Sequence, residues 1–145
     1  MKTPRYVVDA SVIAKWVLPG EPYQGNALKL KEDCTSQLVD LHAPSFIMLE
    51  VANALWRAAK AGRVSEEDAL EALRALEGMM IEIHETEWSE VRQGLTIACS
   101  LDLTIYDAVY LTLAHALKTR LITADKRLYE TARARFPLLY LGDYL

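Results

Sequence analysis

Arg5-Tyr6-Val7-Val8-Asp9-Ala10-Ser11-Val12-Ile13-Ala14-Lys15-Trp16-Val17-Leu18-Pro19-Gly20 is an apolar run that ends on an acid and passes at once into a helical pattern. Arg5 to Asp9 reads as a short buried strand, and Ala10 to Leu18 as a helix that Pro19-Gly20 stops. The same grammar recurs near the other end of the chain. Leu121-Ile122-Thr123-Ala124 is a second apolar run, closed by Asp125 and followed by another helical stretch. Two strands of this kind, each leading into a helix, are the signature of a parallel sheet rather than of hairpins.

The stretches between them extend the pattern. Helices are predicted over Tyr23 to Ser36, from an N-cap at Ser45 to Ala61 with Gly62 ending it, and after the acidic cap Ser65-Glu66-Glu67-Asp68, where Leu70, Leu73 and Leu76 recur on one face. Two further helices are predicted over Thr86 to Ser100 and Tyr106 to Lys118, and a last one from Asp125 to about Arg135. Leu38 to His42, Met79 to His84, Arg120 to Thr123 and Leu138 to Leu141 supply the remaining strands. The class is therefore α/β, with helices covering both faces of a parallel sheet.

The chain has 145 residues, with 52% hydrophobic and 25% charged side chains. That suits one domain spanning 1–145, able to fold without a disulfide or structural metal. Cys34 and Cys99 belong to no C-x-x-C pair and are expected to be ordinary buried thiols. The apolar run after Met-Lys-Thr-Pro-Arg is too brief for a signal peptide, and no later segment approaches the ~20 apolar residues of a membrane span. A cytoplasmic protein with no membrane partner is expected. The net charge of −4 weighs mildly against nucleic acid as a partner.

Four acids stand in unusual company. Asp9 and Asp125 lie at carboxyl ends of predicted strands, where open parallel sheets bind ligands. Glu50 interrupts Phe46-Ile47-Met48-Leu49-Glu50-Val51-Ala52, and Asp107 interrupts Leu103-Thr104-Ile105-Tyr106-Asp107-Ala108-Val109-Tyr110-Leu111. A carboxylate buried in such surroundings is costly unless something compensates it. Asn53, three residues beyond Glu50, is placed to orient it. Each acid also has a structural reading: Asp9 and Asp125 as helix N-caps, and Thr104-x-x-Asp107 as a capping box. Taken jointly, four converging carboxylates repel one another unless a hard divalent cation intervenes, and such a cation suits phosphodiester hydrolysis. The sequence holds no G-x-S-x-G, Walker loop, G-x-G-x-x-G or H-E-x-x-H to support another chemistry.

Val7-Val8-Asp9-Ala10-Ser11-Val12, Glu50-Val51-Ala52-Asn53-Ala54-Leu55, the run from Leu103 to Ala114 and Leu121-Ile122-Thr123-Ala124-Asp125 together resemble the PIN-domain ribonucleases, specifically the VapC-like toxins of prokaryotic toxin–antitoxin pairs. The resemblance implies a three-layer α/β/α sandwich with a central parallel sheet. It implies an endoribonuclease using Mg²⁺ or Mn²⁺, with Asp9, Glu50, Asp107 and Asp125 as the catalytic and metal-holding set. Ser11 and Thr123 would support the site through their hydroxyls, and Asn53 would help hold Glu50. It further implies a homodimer, an RNA substrate and a small cognate antitoxin. A PIN nuclease in RNA processing outside any toxin pair, and a catalytically idle metal- or RNA-binding module, are the alternatives.

Lys126 and Arg127, beside Asp125, are candidates for RNA phosphate contacts, as are Lys15, Arg57, Lys60 and Arg63. Trp16 and Trp56 are expected to be packing anchors rather than base-stacking platforms. His42, His84 and His115 show no mutual spacing for a metal or an acid–base pair, and are read as structural.

Overall fold

The computed structural model describes residues 2–145. Five parallel strands, β1 (Arg5–Val8), β2 (Asp40–Pro44), β3 (Ile81–His84), β4 (Arg120–Thr123) and β5 (Leu138–Tyr140), lie in the order β3-β2-β1-β4-β5. Val7 pairs with His42 on one side and with Leu121 on the other, which puts β1 at the centre. Val7, Val8, Leu121 and Ile122 are wholly buried. A central parallel strand is covered on both faces, so its sequence is continuously apolar rather than alternating. Each such side chain removed from water contributes roughly 1.5–3 kcal/mol.

Helices α1 (Ala10–Val17), α2 (Gln24–Thr35), α3 (Ile47–Lys60) and α4 (Glu66–Glu77) lie in the first half of the chain. Helices α5 (Trp88–Leu101), α6 (Ile105–Ala116) and α7 (Lys126–Ala132) lie in the second. Helix α1 packs on α2 and α3, and α3 on α4, while α6 lies across β1, β2 and β4 with α5 against it. The sheet is thus the middle of three layers, as the α/β/α expectation requires. The run Ala108 to Ala114 of α6 is buried throughout, which explains why it reads as apolar on every face. No single helix among the described residues is long and apolar enough to cross a membrane.

Local chemistry sets the element ends. Gly62 takes φ +76° after α3, and the Arg63 N–H reaches back to the Ala58 carbonyl at 2.9 Å, closing the helix in the left-handed manner that glycine permits. The Ser65 hydroxyl accepts the Asp68 N–H at 3.0 Å and opens α4. Ser45 departs from expectation. Phe46 holds the N-cap position of α3, and the Ser45 hydroxyl instead faces the Glu85 carboxylate at 3.4 Å. Strand β2 begins at Asp40 rather than Leu38, which is exposed, and α7 stops at Ala132 short of Arg135. Both cysteines are free, but only Cys34 is buried, while Cys99 is exposed on α5.

Candidate active site

From β1 the chain builds outward to β2 and β3, then returns to lay β4 on the other flank of β1. The strand order reverses between β1 and β4, and a crevice opens beyond the carboxyl ends of strands at such a point. Asp9 and Asp125 follow these two strands directly. Asp9 caps α1, its Oδ1 accepting the Ser11 N–H at 3.1 Å, and Asp125 caps α7, its Oδ1 accepting the Leu128 N–H at 3.1 Å. The capping readings therefore hold for both. Capping thus engages one oxygen, Oδ1, of each carboxylate.

Two hydroxyls stitch the junctions together. The Ser11 hydroxyl donates to Asp9 Oδ1 at 2.5 Å and accepts the Ala124 N–H at 2.9 Å. Thr123 Oγ1 accepts the Asp125 N–H at 3.0 Å and lies 3.4 Å from Ser11 Oγ. The strand ends, adjacent in the sheet, are thus locked in relative position by side chains as well as by the Asp9 N–H, which donates to the Ile122 carbonyl at 3.4 Å.

Glu50 and Asp107 come from the first turns of α3 and α6. The Tyr110 hydroxyl donates to Glu50 Oε1 at 2.8 Å, and the Thr104 hydroxyl accepts the Asp107 N–H at 3.1 Å. All four acids line one cleft of about 370 Å³, together with Ser11, Asn53, Arg57 and Tyr110. A second hollow of about 380 Å³ shares Ser11 and Arg57 with it and adds Lys15 and Arg63.

The electrostatics of this cleft are those of unpaired negative charge. Asp9 is 5% exposed, and burial pushes its carboxyl up to about 7, with the nearby Ser11 and Thr123 hydroxyls opposing and the Asp107 charge adding to the rise. Burial also raises Glu50, against the Tyr110 hydrogen bond, and Asp107 repels it further. Asp107 is raised by burial and by the Asp125 charge, partly offset by Thr104 and by the charge of Arg127. Each influence that raises these groups favours protonation, and a bound cation would reverse the balance. Oxygen donors only, several of them carboxylates, form a set suited to a hard dication.

Asn53 lines the cleft, but the hydrogen bond to Glu50 comes from Tyr110, which the sequence reading did not single out. A signal existed: Tyr110 is one helical turn beyond Asp107, inside a run too apolar to leave a phenol without a partner. Lys126 and Arg127 sit exposed in the first turn of α7 and do not line the cleft. Arg127 donates to the Asp102 carbonyl at 3.3 Å, although its charge is felt at Asp107. Trp16 is a packing anchor, buried with its indole N–H on the Ala27 carbonyl at 2.7 Å. Trp56 is not: it is exposed on α3, with the Lys60 ammonium 5.2 Å from its ring centre. The reading of His42 and His84 also requires correction. His42 Nδ1 lies 2.9 Å from His84 Nε2, because parallel pairing of β2 with β3 joins two strand ends that are distant in sequence.

Comparison with known proteins adds independent findings. Residues 6–134 match the PIN domain family. Ribonuclease VapC3 of Pyrobaculum aerophilum is 32% identical over 136 residues, covering 93% of this chain and 97% of that protein. The crystal structure of Mycobacterium tuberculosis VapC20, a sarcin–ricin loop cleaving toxin, superposes with a TM-score of 0.70 at 16% identity, covering 90% of this chain and 95% of that one. A toxin–antitoxin complex from Klebsiella pneumoniae gives a TM-score of 0.64 at 14% identity over 94% of this chain and 97% of the matched one. At such identities the two structures speak for the fold.

Proposed function

The chain belongs to the PIN-domain family, and from that premise we propose that it is a divalent-metal-dependent endoribonuclease, the toxin of a toxin–antitoxin pair. One observation carries the reading: Asp9, Glu50, Asp107 and Asp125, drawn from four separate elements, line a single cleft at the reversal of strand order. Four such acids have no collective structural purpose, since capping occupies only one oxygen of Asp9 and of Asp125 and the rest of the cluster is mutually repulsive.

In this reading the four carboxylates hold Mg²⁺ or Mn²⁺. The donor set fits, because burial and like charge oppose ionisation of Asp9, Glu50 and Asp107 until a cation compensates them. Bound there, such an ion supplies positive charge opposite the scissile phosphate and makes water a better nucleophile at neutral pH. The protein's own groups do the positioning. Ser11 and Thr123 hold the Asp9 and Asp125 junctions, Tyr110 aims the Glu50 carboxylate, and the Asn53 amide offers the cleft a neutral polar contact. Arg57, in the cleft wall, takes an RNA phosphate, with Lys15 and Arg63 continuing the basic path and Lys126 and Arg127 flanking Asp125. Residues 1–145 act as a single domain in the cytoplasm, as a homodimer neutralised by a small antitoxin. An apolar groove lined by Met48, Leu49, Leu73, Leu76 and Ile83, with Leu49 75% exposed, supports a protein partner.

The test is to induce the wild-type chain and Asp107→Asn in a host lacking the antitoxin and map new 5′ ends across total RNA. Discrete ends with wild type alone are expected. Profiles matching the uninduced control, with soluble protein present, would overturn the reading.

A further inference from the structure

Strand β3 forms one edge of the sheet, and its register against β2 sets His42 opposite Glu82 and Pro44 opposite His84. Residues two apart on a strand share a face, so His42, Glu82 and His84 project from the same side of that edge. His42 Nδ1 stands 2.9 Å from His84 Nε2 and 3.4 Å from the Glu82 carboxylate, and one ligand atom from each residue lies within 4.8 Å of the others. His42 is 6% exposed, whereas the Glu82 side chain is 68% exposed, so the cluster is rooted in the sheet and open to solvent. None of the three lines the acidic cleft.

A simple N–H···N bond between the imidazoles accounts for two of these groups and leaves the carboxylate idle beside the same ring nitrogen. A dication engages all three. In a tetrahedral site with bonds of about 2.0–2.1 Å the donors stand roughly 3.3–3.5 Å apart, which the His42 to Glu82 separation meets. The two imidazole nitrogens need to part by only a few tenths of an ångström, within reach of the half-buried His84 ring. Burial lowers the affinity of His42 for a proton and so favours the neutral imidazole, the form that ligates. Two imidazoles with one carboxylate suit zinc and its first-row neighbours, unlike the all-oxygen cleft.

We propose that His42, Glu82 and His84 form a second metal site, for a zinc-like transition dication, at the β2–β3 edge of the sheet. Its role is a staple. The metal would tie the edge strand to β2 beside Ser45, whose N–H donates to the His84 carbonyl at 2.9 Å and which leads the chain into α3. Three protein ligands leave the fourth position to water.

The experiment titrates Zn²⁺ into the full chain against a chromogenic chelator with Mg²⁺ in excess, and records visible spectra with Co²⁺ as a second probe. Wild type and Asp107→Asn are expected to bind one zinc per chain and to give the intense Co²⁺ bands of four-coordination. Affinity should fall about 100-fold in His84→Ala and about tenfold in Glu82→Gln, an exposed change that keeps the test valid if the alanine variant fails to fold. Zinc uptake that disappears in Asp107→Asn, or that persists unchanged in Glu82→Gln and folded His84→Ala, overturns the proposal.

Discussion

The junctions after β1 and after β4 are built alike, apolar strand, then acid, then helix, yet they end as different chemical environments. Asp9 is buried, with its carboxyl pushed up to about 7, whereas Asp125 is exposed. Both cap their helices through one oxygen. The difference comes from the neighbours. The central strand β1 carries Asp9 into the cleft that Asp107 and Tyr110 also line, while Asp125 lies toward the sheet's flank, beside α7. Local sequence thus specifies where an acid stands, and tertiary packing decides how costly its charge is. If the cleft holds a cation, the buried member should be the more demanding ligand and the exposed one the more forgiving.

The largest effect expected is on catalysis. Asp9→Asn should lower RNA cleavage roughly a thousandfold, about 4 kcal/mol of transition-state stabilisation, and Asp125→Asn roughly a hundredfold. Single-turnover rates on a mapped RNA target check this, and equal losses would erase the proposed contrast.

Next comes stability without metal. The folded chain holds the Asp9 proton up to about pH 7, while the unfolded chain releases it near 3.8. Stability in chelator should therefore fall as pH rises from about 4 to 7, by an amount on the order of 4 kcal/mol from this group. Asp9→Asn should flatten that slope and raise Tm by several degrees at neutral pH in chelator, while abolishing the stabilisation that Mg²⁺ or Mn²⁺ gives wild type. Thermal melts of wild type and Asp9→Asn across pH check this.

The hydroxyl brace offers a finer probe. Ser11→Ala removes both a donor to Asp9 and an acceptor for Ala124, whereas Thr123→Val removes an acceptor for Asp125. Calorimetry should show divalent affinity weakened about 10- to 100-fold by the first and less by the second. The smallest effect is assigned to Tyr110→Phe, which frees Glu50 Oε1 and should weaken metal binding severalfold, with a fold stability change of about 1 kcal/mol.

Much of this frame was legible beforehand because it rests on local pattern. The runs at Val7-Val8 and Leu121-Ile122 announce buried parallel strands, and an acid at the end of each marks where the cleft opens. Glu50 and Asp107 stand out because carboxylates are rare in such apolar helices. What escaped depends on pairing across the chain. Ser45 is a good capping residue by type, yet its amide is taken by the His84 carbonyl across the sheet, and Phe46 takes its place at the N-cap. His42 and His84 meet only through strand register, though two predicted strands each ending on histidine were a clue. Arg127 is next to Asp125 in sequence, but the helical turn sends its guanidinium toward Asp102, while Arg57 from α3 enters the cleft.

The most direct test of the central claim is cleavage of a defined RNA target by purified wild type and Asp9→Asn, after chelation and then with Mg²⁺ or Mn²⁺ restored. The account predicts no cleavage in chelator, recovery on adding either ion for wild type, and none for Asp9→Asn. Cleavage by wild type that ignores the chelator, or equal recovery in Asp9→Asn, would contradict it.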